Sequence, residues 1–190
     1  ATWCGVVGFR PSPGLVPREN RTLNYTHFNV QGPMARSVPD IALMMTGCVG
    51  NDDRDPMANL CNPQAFLNIE PANLKNVRVA WTEDFGGIAP LDDRIRGCFK
   101  KVIGTLKNTF QSLECCNPDF SSARDCFWTL RCVNYLASHK TRYEKNRNIL
   151  SKNIIANIEA GEKMSLADVA TAETQWREIY RNFEVFFENI

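Results

Sequence analysis

The sequence predicts a helix-rich α/β fold whose sheet is incomplete. Three observations lead there. Val77, Val79 and Trp81 alternate with Arg78 and Ala80, and Gly86-Gly87 and Pro90 turn this strand into an amphipathic helix. That strand–loop–helix order belongs to an α/β layer. In all, four or five segments carry apolar residues at helical spacing. Against them, only residues 4–9 and 77–81 read as strands, and two strands are marginal as a sheet of their own. The helices present more apolar surface than two strands cover, which implies that much of the sheet lies outside this chain.

Taken in order, Cys4-Gly5-Val6-Val7-Gly8-Phe9 reads as a short buried strand ended by Pro11 and Pro13. Residues 12–32 hold Pro, Gly, Asn and Arg without periodicity and read as a long irregular loop of the kind that often carries function. Ser37 is an N-cap, with Asp40 three residues on and Pro39 in the first turn. Ile41, Met44, Met45 and Cys48 then make one apolar face, and Gly50 ends the helix. Residues 51–75 return to loop. After the strand at 77–81, a helix runs from about Asp92 to Phe110, with Asp92 and Asp93 at the positive end of its dipole. Its stripe is Ile95, Cys98, Phe99, Val102, Leu106 and Phe110. Ser121 or Ser122 caps a helix to about Ala137, and shorter helices follow at 140–149 and 151–160. Ser165 caps the last helix, whose face carries Val169, Ala172, Trp176, Ile179, Tyr180, Phe183 and Phe186. That face is expected to pack within its own domain rather than form a groove.

Composition narrows the function classes. The chain has 190 residues, 44% hydrophobic and 23% charged, which excludes a disordered tail or a fibrous repeat. The formal charge of +1 gives no electrostatic case for nucleic acid or an anionic membrane. No apolar run approaches the ~20 residues of a membrane span. The N-terminus has no charged-then-apolar signal pattern. The first residue is Ala1 rather than Met and the last, Ile190, lies inside an apparent helix, so both ends read as cut.

Eight cysteines allow a disulfide reading. With no CxxC and several at stripe positions, free thiols acting as small hydrophobes in a reducing compartment fit better. Only His27 and His139 supply imidazole, so a zinc site is not expected. Asp52, Asp53 and Asp55 lack calcium-loop spacing and read as turn residues. Lys100-Lys101 and the cluster Lys140, Arg142, Lys145, Arg147 and Lys152 read as solvated helix faces. No Gly-x-Ser-x-Gly elbow occurs, and His27 reads as an exposed loop residue.

Several motifs carry a family resemblance. Residues 1–14, Ala-Thr-Trp-Cys-Gly-Val-Val-Gly-Phe-Arg-Pro-Ser-Pro-Gly, resemble the stretch just after the signature of the amidase-signature hydrolases. Gly32-Pro33-Met34-Ala35-Arg36-Ser37-Val38-Pro39-Asp40 is similar to the family block that leads into a helix, and Gly50-Asn51-Asp52-Asp53-Arg54-Asp55-Pro56 is a third match. The strand at 77–81 with its helix, and Asn157-Ile158-Glu159-Ala160-Gly161, resemble later family elements in the same order.

The resemblance implies a mixed sheet surrounded by helices, of which residues 1–190 are the central to C-terminal part of one amidase domain with no internal boundary. It implies hydrolysis of carboxylic amides through a serine acyl-enzyme, with a Ser nucleophile, a second Ser across a cis peptide bond and a Lys base. None of the three falls on this chain, so no catalytic residue is assigned and the isolated chain is expected to be inactive; it is also expected to be poorly soluble, because the apolar faces of its helices lose their sheet partners. Phe28 and Asn29 match positions around the family's acyl-pocket wall and are the substrate-binding candidates; Trp128 or Tyr135 lines the substrate tunnel in the same reading. The implied substrate is a small amide, with no cofactor, metal, nucleic acid or membrane partner, a cytoplasmic location, and homodimers known in the family. Two alternatives stay open. One is a protein like the A-type subunit of glutamyl-tRNA amidotransferase, although Pro17-Arg18-Glu19-Asn20 and His27-Phe28-Asn29 depart from its usual runs. The other is a non-catalytic truncated remnant.

Overall fold

The computed structural model describes residues 1–190, which group into two units, Ala1–Pro71 and Ala72–Ile190. In the first unit regular structure is sparse. A 3-10 turn over Thr2–Cys4 precedes β1 (Val7–Gly8), which pairs antiparallel with β2 (Met34–Ala35). Val7 faces Ala35 and Gly8 faces Met34. The buried strand expected over 4–9 is therefore only two residues long, and Cys4, Val7 and Phe9 are exposed. The cause is local: the Cys4 and Gly5 amides donate to the Ala1 and Thr2 carbonyls, closing a turn where strand was expected. Gly32 enters β2 close against β1. A side chain there would collide with the Phe9 carbonyl oxygen, so the glycine of the Gly-Pro-Met-Ala-Arg block is a packing requirement.

Helix α1 (Val38–Cys48) begins as expected. The Ser37 hydroxyl accepts the Asp40 amide at 3.3 Å and donates to the Asp40 carboxylate at 2.7 Å. Its buried face differs from the expected stripe. Ile41, Ala42 and Met45 are buried together with Val49, while Met44 and Cys48 are exposed. The face is set by what covers it: Leu15 and Val16 from the long loop, Ala35, Cys61 and Phe66.

The 12–32 and 51–62 loops are tied by one buried ion pair. Arg21 donates to Asp55 through Nε at 2.7 Å and through its terminal nitrogen at 2.9 Å. The two side chains are 3% and 0% exposed. Asp55 also accepts the backbone amides of Arg18 at 2.8 Å and Met57 at 3.0 Å. Four donors on one carboxylate satisfy its lone pairs, the condition under which a buried charge is tolerated.

In the second unit, β3 (Arg78–Trp81) pairs in parallel with β4 (Ser112–Cys115), in register from Arg78–Ser112 to Trp81–Cys115. Helix α2 (Asp93–Leu106) connects them, a β–α–β unit. Strand β4 was not legible in the sequence. It is short, and its partner lies over 30 residues away. Asp92 caps α2 by accepting the Arg94 amide at 2.9 Å. The covered side of α2 is Phe99, Ile103 and Leu106, with Phe99 edge-on to Trp81 at 6.0 Å, whereas Ile95, Cys98 and Val102 are exposed. Glu83 anchors the start of the helix, accepting from Arg96 and pairing with Lys100 at 3.2 Å.

The remainder is a layer of three helices: α3 (Ala123–Asn146), α4 (Lys152–Gly161) and α5 (Leu166–Asn189). The break expected near Ala137 is absent, because 137–140 contains neither Gly nor Pro to stop the helix. A 3-10 turn at Arg147–Ile149 ends it instead. Ser165 and Asp168 form the full reciprocal cap of α5. Most of its expected stripe turns inward, but Tyr180 is exposed.

The layer's core holds Cys126, Leu130, Cys132, Ile158 and Ala172. Burial pushes both thiols up, and all eight cysteines are free; Cys48 and Cys98, expected on apolar faces, are exposed. Asn157 is fully buried, accepting Arg131 Nε at 2.9 Å and donating to the Asn153 carbonyl at 2.7 Å. One turn on, Gly161 lets α4 close on α3: a β-carbon there would lie 2.7 Å from a Leu136 methyl and 3.3 Å from Cys132 Cβ.

This packing makes Gly161 and Asp55 testable. Gly161→Ala should destabilise the helical layer, since overpacking costs ~1–3 kcal/mol against the ~0.5–1 kcal/mol that alanine gains in a helix. Thermal or urea unfolding reads the sign. Asp55 is held at about 2, against an ordinary 3.8, chiefly by the Arg21 hydrogen bonds. Its pKa is lower in the fold than in the unfolded chain, so its stabilisation is present above pH 3.8 and is lost as pH falls from there toward about 2. Asp55→Asn should remove this acid dependence and cost ~3–5 kcal/mol by leaving Arg21 buried and unpaired, measured as faster amide exchange in the two loops.

Candidate functional site

The long loop of the first unit is organised around Arg21. Besides pairing with Asp55, its guanidinium donates to the Thr26 carbonyl at 3.4 Å and to the Asn29 carbonyl at 3.5 Å. The Thr26 hydroxyl accepts the Phe28 amide at 3.4 Å, and Arg10 donates to the His27 carbonyl at 3.3 Å. These bonds hold the segment 26–29 through its backbone. Phe28 is half-buried and Asn29 exposed. His27 is exposed, as expected.

Sequence reasoning missed Arg21 and read Asp55 as a turn residue. Asp55 does make the turn to Met57, but its main partner lies 34 residues earlier, in a loop with no periodicity. Local pattern carries no signal for such a pair. Of the other aspartates, Asp52 is held at about 2 by the Arg54 guanidinium and Asp53 accepts the Asn51 amide at 3.1 Å. No cluster of three or more His, Cys, Asp or Glu side chains is arranged to hold a metal.

Several other hydroxyl and charged groups hold structure. Ser37, Ser151 and Ser165 cap helices through their hydroxyls. Lys100 pairs with Glu83, Lys140 with Glu162 at 3.4 Å, and Arg147 with Glu159 while lying over Tyr143. Arg142, Lys145 and Lys152 are exposed, a solvated face. His139 packs its ring against Tyr135 at 5.5 Å.

The second unit contains an apolar groove of about 550 Å³ between β3 and the end of α5. Val77, Val79, Trp81, Phe183, Phe186 and Phe187 line it. The α5 stripe, expected to be covered within its domain, is open at this end. Trp128 and Tyr135 are not in that lining: Trp128 is 42% exposed on α3, and Tyr135 accepts a hydrogen bond from Arg131. No helix is long and apolar enough to cross a membrane.

Known proteins resemble this chain in sequence and in fold. The chain is 21% identical to an acylamidase of Rhodococcus erythropolis over 188 residues, 98% of this chain and 39% of that protein. It is 32% identical to the A-type subunit of a glutamyl-tRNA(Gln) amidotransferase from Gloeobacter violaceus, over 76% of this chain and 29% of the relative. Among solved structures, a bacterial aryl acylamidase of the amidase-signature family superposes with a TM-score of 0.78 at 18% identity, covering 97% of this chain and 40% of that one. The fold is therefore the α/β amidase-signature fold, and the chain spans about two fifths or less of these relatives. The family model for amidase matches residues 1–184, nearly the whole length, and the chain belongs to the amidase family.

Proposed function

We propose that the protein carrying this chain hydrolyses small carboxylic amides at the C–N bond, through a serine acyl-enzyme. The observation that carries the reading is the amidase match across residues 1–184; similarity to an acylamidase supports it. In this proposal residues 1–190 are the central to C-terminal part of a single amidase domain, and the Ser, second Ser and Lys base come from other residues of the protein. A serine hydroxyl needs a base within hydrogen-bond reach to attack an amide carbonyl. Ser37, Ser151 and Ser165, seated here at helix starts, are committed to capping. What this chain supplies is a wall of the acyl pocket: the Phe28 ring packs on the apolar part of the substrate, and the Asn29 carboxamide hydrogen-bonds to a polar group beside it. The chemistry needs no cofactor, and the proposed location is the cytoplasm. A homodimer of the full-length protein is the proposed assembly.

A second reading, a glutamyl-tRNA amidotransferase component, is favoured by identities of about 30% to several A-type subunits of that enzyme. The Pro17–Asn20 and His27–Asn29 departures weigh against it. The readings separate on substrate. The full-length gene product should release 4-nitroaniline from 4-nitroacetanilide, and the 190-residue chain should not. Release by the 190-residue chain would place a nucleophile inside it and overturn the proposal. Glutamine hydrolysis coupled to charged tRNA, without aryl amide hydrolysis, would establish the second reading.

A further inference from the structure

We infer that Arg21 is a positioning residue for the substrate-facing segment 26–29, acting through the backbone while Asp55 fixes its own guanidinium. The inference rests on the proposed role of Phe28 and Asn29. Its ground is a geometry that an ion pair alone does not need. Arg21 is buried to 3% exposure in a loop without strand or helix. Two of its nitrogens are spent in a fork on Asp55, at 2.7 and 2.9 Å, which fixes the plane of the guanidinium. The remaining terminal nitrogen then points at the Thr26 and Asn29 carbonyls, 3.4 and 3.5 Å away, one at each end of the segment.

The carboxylate is itself fixed independently. It accepts the Arg18 and Met57 amides, so the anchor stays in place when the segment is perturbed. Arg18 N–H, Arg21 and Met57 N–H together make Asp55 a hub joining the 18–21 stretch to the 55–57 turn, and Arg21 transmits that rigidity to the 26–29 carbonyls. Phe28 adds a local closure by donating its amide to Thr26. Fixing both end carbonyls sets the direction in which the side chains between them leave the backbone. Binding then costs less conformational entropy, because the wall is already shaped.

This arrangement makes Arg and Lys inequivalent at position 21. A lysine keeps a charge for Asp55 but has no rigid fork, so it does not hold the carboxylate and both carbonyls at once. Arg21→Lys in the full-length protein, which keeps a charge for Asp55, should lower the melting temperature less than Arg21→Ala does. Amides in 26–31 should exchange about tenfold faster, with those in 38–48 unchanged. KM for 4-nitroacetanilide should rise about tenfold with kcat nearly constant, the signature of lost binding that ground state and transition state share. Unchanged exchange in 26–31 overturns the inference, as does faster exchange with an unchanged KM where Phe28→Ala raises KM. The underlying site reading fails separately: if Phe28→Ala and Asn29→Ala both leave KM unchanged, the segment is no pocket wall, and the part of the inference that concerns substrate falls with it. Arg21→Ala, which leaves Asp55 buried without its counter-ion, serves as the destabilised control.

Discussion

One buried ion pair, Arg21 with Asp55, organises a unit that has little else to organise it. Two-residue strands and an 11-residue helix leave most of residues 1–71 without regular hydrogen bonding. The ordering entropy of such loops is large, and the apolar core of Ile41, Met45 and Val49 is small. A carboxylate with four donors fixes two loops at once. Burial makes the pair strict: each charge is tolerated only because the other is present. The same guanidinium that closes the framework also holds the carbonyls of 26–29, so the framework and the candidate site share one residue.

The second unit solves its packing differently. Its helices close on one another through a small residue and a satisfied polar one. Gly161 allows close approach to Leu136 and Cys132, Ile158 fills the centre, Asn157 takes the Arg131 guanidinium, and Glu159 accepts from Tyr143 and pairs with Arg147. In the Asn-Ile-Glu-Ala-Gly run that resembles the family, Asn157, Ile158, Glu159 and Gly161 thus act as a helix-packing motif. It bears on the scaffold, while residues 26–29 are the proposed contact with the ligand.

Legibility in the sequence followed the range of the interaction. The caps at Ser37 and Ser165, the strand at 77–81 and the last helix were readable because three- and two-residue spacings encode them. The end of α3 was misplaced for want of a breaker, and the buried face of α1 fell on Ala42 and Val49 because loops far along the chain decide what is covered. Strand β4 was invisible for the same reason, its partner being remote. At the site, Phe28 and Asn29 came from family resemblance, not from pattern. Arg21 and Asp55 came from neither, since a pair 34 residues apart in two loops leaves no periodic trace.

The central claim is that residues 26–29 face the substrate of an amidase. Its most direct test is hydrogen exchange of the full-length protein with and without a non-hydrolysable ketone isostere of 4-nitroacetanilide. The account predicts protection concentrated in 26–31. Protection confined to the β3–α5 groove, at 77–82 and 183–187, with 26–31 unaffected, would contradict it.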